Sequence, residues 1–162
     1  MLICGIVGWK NSGKTYFAQK LISYFNSKNL KVASIKHAHD GFDIDQPGTD
    51  SYLHRKAGSQ EILVSSSKRW VKIVELRETQ ERKLSDLLDE LYYPDIVIVE
   101  GFKNESHPKI EIIKDSLNDY LFTKLDNIIG IVSDRKIDTL IPQFKRDDID
   151  SIAKHILDYY KR

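Results

Sequence analysis

Two hydrophobic periods alternate along the chain, and each marks a different kind of element. Residues 2–7 (L-I-C-G-I-V) and 95–99 (D-I-V-I-V) are apolar on both faces, as strands inside a parallel sheet are. Elsewhere apolar residues recur at helical spacing. Phe17, Ala18, Leu21 and Phe25 do so within 14–28, and Leu84, Leu87, Leu88 and Leu91 within 84–91. Ile149, Ile152, Ala153, Ile156 and Leu157 form a third stripe within 147–160. Asn29 follows the first helix, where a left-handed cap is common. Residues 31–36, 61–65, 70–76, 109–113 and 128–132 read as further strands, with Ser66-Ser67-Lys68 turning the second of these into the third. Residues 37–48 are a polar loop closing on Pro47-Gly48, and 49–57 is a short helix stopped by Gly58. Strands alternating with helices predict an α/β fold of three layers around a mostly parallel sheet, with one domain over residues 1–162.

Composition narrows the function classes. Lys plus Arg is 25 and Asp plus Glu is 24, giving a net charge of +1. That balance lacks the basic surplus of a nucleic-acid binder, so no nucleic-acid partner is expected. The apolar run at 2–7 is too short for a signal core or a membrane span, so no membrane partner is expected either. The lone Cys4 excludes an intramolecular disulfide, reads as a small buried hydrophobe, and agrees with a cytoplasmic location.

The chemistry begins at G-W-K-N-S-G-K-T, residues 8–15, lying between a strand and a helix. This is the spacing of a phosphate-binding P-loop, G-x-x-x-x-G-K-[ST]. Gly8 lets the chain leave the strand, and backbone N–H groups from Asn11, Ser12, Gly13, Lys14 and Thr15 converge on phosphate oxygens. The following helix dipole adds attraction, Lys14 supplies a point charge, and the Thr15 hydroxyl is a Mg²⁺ ligand. A second signal is D-I-V-I-V-E-G at 95–101. Its strand ends in Glu100, the acid a P-loop needs to hold Mg²⁺, and Gly101 would let the backbone approach the γ-phosphate. Asp95, at the far end of that strand, reads as structural.

The loop I-K-H-A-H-D-G-F-D-I-D-Q-P-G-T-D at 35–50 leaves the second strand on the P-loop edge. His37, His39 and the acids Asp40, Asp43, Asp45 and Asp50 suit a transition metal by type, but no well-spaced full ligand set is evident. By position the loop reads better as a sensor of γ-phosphate and Mg²⁺, with Asp43 and Asp45 the catalytic candidates, through water-mediated metal contact or water positioning. Solvated loop acids are the alternative. T-K-L-D at 123–126 matches a guanine-reading motif but precedes its strand instead of following it, so it is set aside. Asp134, just beyond the strand 128–132, is better placed to accept hydrogen bonds from guanine N1 and N2.

Together these segments resemble the molybdopterin-guanine dinucleotide biosynthesis adaptor family. The resemblance runs over nearly the whole chain: N-S-G-K-T at 11–15, the string at 35–51, R-K-A-G at 55–58, R-W at 69–70 and V-E-G-F-K at 99–103. It continues through H-P-K-I at 107–110, I-V-S-D at 131–134 and R-D-D-I at 146–149. It implies a P-loop NTPase fold, GTP and Mg²⁺ as cofactors, weak GTPase activity, and a homodimer. It also implies a partnership with the guanylyltransferase that joins GMP to molybdopterin, with molybdopterin itself a candidate ligand. Related P-loop proteins often carry an extra lysine at the loop's second position. Here that position is Trp9, followed by Lys10. The candidates for an arginine finger are Arg55 and Arg69. A P-loop small-molecule kinase is the competing reading. Its glycine-richer loop is absent, since Asn11 stands at the extra glycine, and the lid it needs is not clear, since strand-like sequence intervenes among Arg69, Arg77 and Arg82.

Overall fold

A computed structural model describes residues 1–38, 41–77 and 80–161. The chain forms two compact units, one from 1–37 and 84–162, the other from 38–83.

The first unit is built on six parallel strands: β1 (Leu2–Val7), β2 (Val32–Lys36), β5 (Ile96–Glu100), β6 (Lys109–Ile112), β7 (Ile128–Val132) and β8 (Gln143–Phe144). Their order is β2-β5-β1-β6-β7-β8. Strand β1 therefore pairs directly with β5, from Leu2 opposite Ile96 to Ile6 opposite Glu100. The side-chain period of two splits β5 between the layers. Ile96 and Ile98 join Cys4, Ile6, Ile110 and Ile112 against helices α1 (Lys14–Ser27) and α4 (Ile149–Tyr159). Val97 and Val99 pack with Ile35 on the opposite face, under Leu84, Leu87 and Leu88 of helix α3 (Leu84–Asp89). This is the expected three-layer arrangement, and the apolar residues of α1 and α4 are the ones their spacing predicts. Fully burying each large side chain, such as Leu21 or Phe25, stabilises by roughly 1.5–3 kcal/mol. Asn29 takes φ 61°, the left-handed conformation expected after α1.

Sequence reading missed two elements here. Strand β8 has two residues, too few for any periodicity to register. A 3₁₀ helix at Leu121–Thr123 is capped from a distance: the buried Glu111 carboxylate accepts the backbone N–H groups of Leu121 and Phe122, each at 2.8 Å. Burial pushes the Glu111 carboxyl up, opposed by those two hydrogen bonds.

Gly5 interrupts the apolar run of β1 for a steric reason. A Cβ there would lie 2.4 Å from His107 Nε2 and 2.9 Å from Lys109 Cγ. Both side chains are buried, and the Lys109 ammonium donates to the carbonyls of His107 and Asp126. Cys4 is buried as expected, and burial raises its thiol to about 12.

The second unit contains helix α2 (Asp50–Lys56) and an antiparallel hairpin of β3 (Glu61–Ser65) and β4 (Trp70–Val74). The Ser66 hydroxyl closes the turn by accepting the Lys68 and Arg69 N–H groups. Ile62 is the buried hydrophobic residue of this unit among the described residues. Its organiser is ionic: Arg55 pairs with Asp45 at 2.7 Å, Asp43 at 2.9 Å and Glu75 at 3.8 Å. Leu63 and Trp70 are 69% and 70% exposed. Among the described residues no helix is long and apolar enough to cross a membrane.

Candidate functional site

The turn between β1 and α1 needs unusual backbone, and its residues supply it. Gly8 has φ 152°, Asn11 61° and Gly13 94°. A Cβ on Gly8 would meet the Ile112 carbonyl oxygen at 2.5 Å and Ser12 Oγ at 2.6 Å. The Ser12 N–H donates to the Trp9 carbonyl at 3.1 Å and closes the loop. Helix α1 then starts at Lys14 with Gly13 as its N-cap, no side-chain cap, and no acid in its first turn. The first N–H groups of a helix have no intrahelical acceptor, and no side chain of the helix's own first turn offsets the positive end of its dipole. Ser12 is 4% exposed, and its hydroxyl has no partner among the described residues. A buried hydroxyl in that state is costly, and an oxyanion lying in the loop would satisfy it.

Thr15 and Glu100 meet at the end of the sheet. Thr15, in the first turn of α1, donates its hydroxyl to Glu100 Oε1 at 2.8 Å. The pairing of β1 with β5 makes this possible, because it sets the last residue of β5 beside the strand that feeds the loop. Lys36, in register with Glu100 on β2, places its ammonium 3.6 Å from the same oxygen. Lys14 donates to the Trp9 carbonyl at 2.9 Å. Burial holds the Lys14 ammonium below its ordinary range, Glu100 opposes that, and Lys36 adds to it. A hydroxyl and a carboxylate oxygen side by side are hard donors of the kind Mg²⁺ takes.

Gly101 follows Glu100 with φ 98°, and a Cβ there would lie 2.7 Å from His37 Cβ. The His37 ring stacks on Phe102 at 4.6 Å, so this glycine has a packing reason in addition to any approach to phosphate. Asp134 lies beyond β7 and pairs with Arg146, Nε to Oδ2 at 3.2 Å. Arg146 reaches further, donating to the Ser12 carbonyl of the loop at 2.9 Å and to the Ile113 carbonyl.

The structure therefore brings together Gly8, Asn11, Ser12, Gly13, Lys14, Thr15 and Glu100, with Gly101 next in the chain and Asp134 joined to the loop through Arg146. In the second unit, Asp43 and Asp45 are both held by Arg55. His39 and Asp40 lie outside the described residues. Among the described residues no group of three His, Cys, Asp or Glu could hold a metal ion. Sequence reading missed Lys36 and Arg146 as site residues. Lys36 sits one residue before the noticed His37, and its register with Glu100 was its only signal.

A sequence model of the family described as molybdopterin guanine dinucleotide synthesis protein B matches residues 3–134. The chain belongs to this family. It is 27% identical over 166 residues to the molybdopterin-guanine dinucleotide biosynthesis adapter protein of Escherichia coli (strain K12), covering 99% of this chain and 94% of that one. Against the adapter protein of the same description from Haemophilus influenzae, identity is 35% over 111 residues, 67% of this chain and 61% of the other. The crystal structure of a molybdopterin-guanine biosynthesis protein B superposes with a TM-score of 0.79 at 25% identity, covering 98% of this chain and 99% of that one. A protein B homologue from Bacillus stearothermophilus, at 22% identity and TM-score 0.74 with 99% of both chains covered, shares the fold. Three of the family strings quoted from the sequence carry these residues, N-S-G-K-T, V-E-G-F-K and I-V-S-D, while R-K-A-G and R-W lie in the second unit.

Proposed function

We propose that this protein binds GTP with Mg²⁺ at residues 8–15 and acts as an adapter in molybdopterin guanine dinucleotide synthesis, beside the guanylyltransferase. One observation carries the nucleotide reading. A glycine-rich turn feeds an uncapped helix start, and Thr15 and Glu100 stand 2.8 Å apart at its mouth. Backbone N–H groups of residues 11–15 and the Lys14 ammonium would hold phosphate oxygens. Thr15 and Glu100 would hold Mg²⁺, Gly101 would lie near the terminal phosphate, and Asp134 would read the base. Bound Mg²⁺ would supply charge neutralisation at the phosphates. Asp43 and Asp45 are the acids proposed to contact metal-bound or attacking water. Hydrolysis is weak in this reading, in keeping with an Arg55 guanidinium already bound by three carboxylates. Molybdopterin is a further candidate ligand.

Calorimetric titration tests the reading: GTP–Mg²⁺ binds and ATP–Mg²⁺ binds more weakly. Glu100→Gln weakens Mg²⁺-dependent binding more than Mg²⁺-free binding, because only the metal needs the full carboxylate charge. Equal losses with and without Mg²⁺ would remove Glu100 from the metal site. ATP binding with phosphate transfer to a small metabolite would replace the adapter with a kinase.

The proposed assembly is a homodimer through the β3–β4 hairpin. Its Leu63, Val64 and Trp70 side chains are exposed on an antiparallel pair that has free edges. Such edges and apolar side chains are suited to covering by a second copy, with two-fold symmetry the commonest closed arrangement. Light scattering at micromolar concentration is expected to give twice the 18.8 kDa chain mass. Trp70→Lys should shift that value toward one chain, and a parent protein that runs as a monomer would end the proposal.

A further inference from the structure

We infer that Arg146 is a positioning residue that fixes the orientation of the Ser12–Gly13 peptide in the P-loop. This rests on the nucleotide reading for its function, but on the fold alone for its geometry. A trans peptide is planar, with its carbonyl and N–H pointing in opposite directions. Arg146 Nη1 donates to the Ser12 carbonyl at 2.9 Å, drawing that oxygen toward the segment between β8 and α4. The Gly13 N–H is thereby turned to the other side of the loop, away from Arg146. With the peptide turned over, the Ser12 carbonyl would face the side that the helix start leaves rich in donors, and would repel an oxyanion there. Gly13 has φ 94°, a conformation a side chain would strain. A Cβ on it would also lie 3.4 Å from Arg146 Nη1, so the guanidinium packs close against the glycine.

The guanidinium is itself held from several sides. Its Nη2 donates to the Ile113 carbonyl just past β6, and its Nε faces Asp134 Oδ2 at 3.2 Å. The Arg146 backbone N–H is 3.4 Å from Asp134 Oδ1. A planar fork with five donors can satisfy two carbonyls and a carboxylate together, whereas a lysine offers one mobile ammonium. Arg146 thus joins the P-loop, the end of β6 and the Asp134 loop.

The test uses the full chain labelled with ¹⁵N and two variants, Arg146→Ala and Arg146→Lys. In the unliganded protein, both variants are expected to displace the Gly13 amide resonance and speed its hydrogen exchange, with the helix α4 amides unchanged. Titration with inorganic pyrophosphate and Mg²⁺, a probe with no base, is expected to lose about tenfold or more in affinity in both variants. A Gly13 amide unmoved in Arg146→Ala overturns the inference. So does full recovery by Arg146→Lys, which would reduce the residue to a charge. A parent protein that does not bind pyrophosphate would sink the nucleotide reading, while the Gly13 amide would still decide what Arg146 does.

Discussion

Lys14→Ala is expected to lower the affinity for the proposed ligand, GTP–Mg²⁺, by roughly ten- to a hundredfold, the value of one charge-assisted contact of ~1.5–3 kcal/mol. The ammonium stands at the start of α1, with one of its three donors on the loop's own Trp9 carbonyl at 2.9 Å. A triphosphate offers it a stronger acceptor than a neutral carbonyl. Burial disfavours this ammonium, and Glu100 partly offsets that penalty. A phosphate would offset it further, so charge and site reinforce each other on binding. The fold should survive the change, because Lys14 is only partly buried and makes a single polar contact within the loop. Calorimetry on the variant, with circular dichroism as a folding control, decides the matter. Normal GTP–Mg²⁺ binding by a folded Lys14→Ala protein would show that residues 8–15 are not the nucleotide site.

The second large effect is an acid lability set by one buried histidine. His107 lies against Gly5 with neither ring nitrogen hydrogen-bonded among the described residues. Burial, with the Lys109 ammonium adding to it, lowers its pKa from 6.5 to about 4. A base whose folded pKa is depressed gives stability that is complete above the unfolded pKa. That stability is lost as pH falls from about 6.5 through about 4, because the unfolded chain takes up the proton first. A shift of this size corresponds to about 3 kcal/mol between the two ends of that window. Urea unfolding at several pH values should therefore show a falling midpoint over this range. His107→Gln should flatten that slope specifically, whatever it does to stability at neutral pH. An unchanged slope in the variant would assign the lability to other groups.

Much of the fold was legible because its strongest signals are physical necessities. A strand buried on both faces has to be apolar at every position, and β1 and β5 read that way. The strand was expected at 95–99 with Glu100 at its C-terminal end, and it runs Ile96–Glu100, with Glu100 in the last pair, opposite Ile6. Other features left no mark in the sequence. Arg146 acts on backbone carbonyls, which every residue has, so no residue pattern points to its partners. The Asp45–Arg55 pair spans a loop and a helix, and in one sequence an acid that binds an arginine looks the same as one that binds water. Glu111 lies in an apolar strand, and only the distant 3₁₀ turn that it caps explains a carboxylate there.

The register of β1 also has a consequence for how the chain is made. Its neighbours on the sheet are β5 and β6, so Leu2 finds Ile96, and Gly5 finds Lys109, only after the greater part of the chain has been synthesised. At ~5–20 residues per second, the apolar L-I-C-G-I-V segment waits on the order of ten seconds on the ribosome before a partner strand emerges. During that interval it is an unpaired strand without a charge, the sort of segment that invites pairing with other chains. Helix α1 is the first partner available to cover its apolar side chains. The stretch that frames the P-loop therefore also depends on early shielding in the cell.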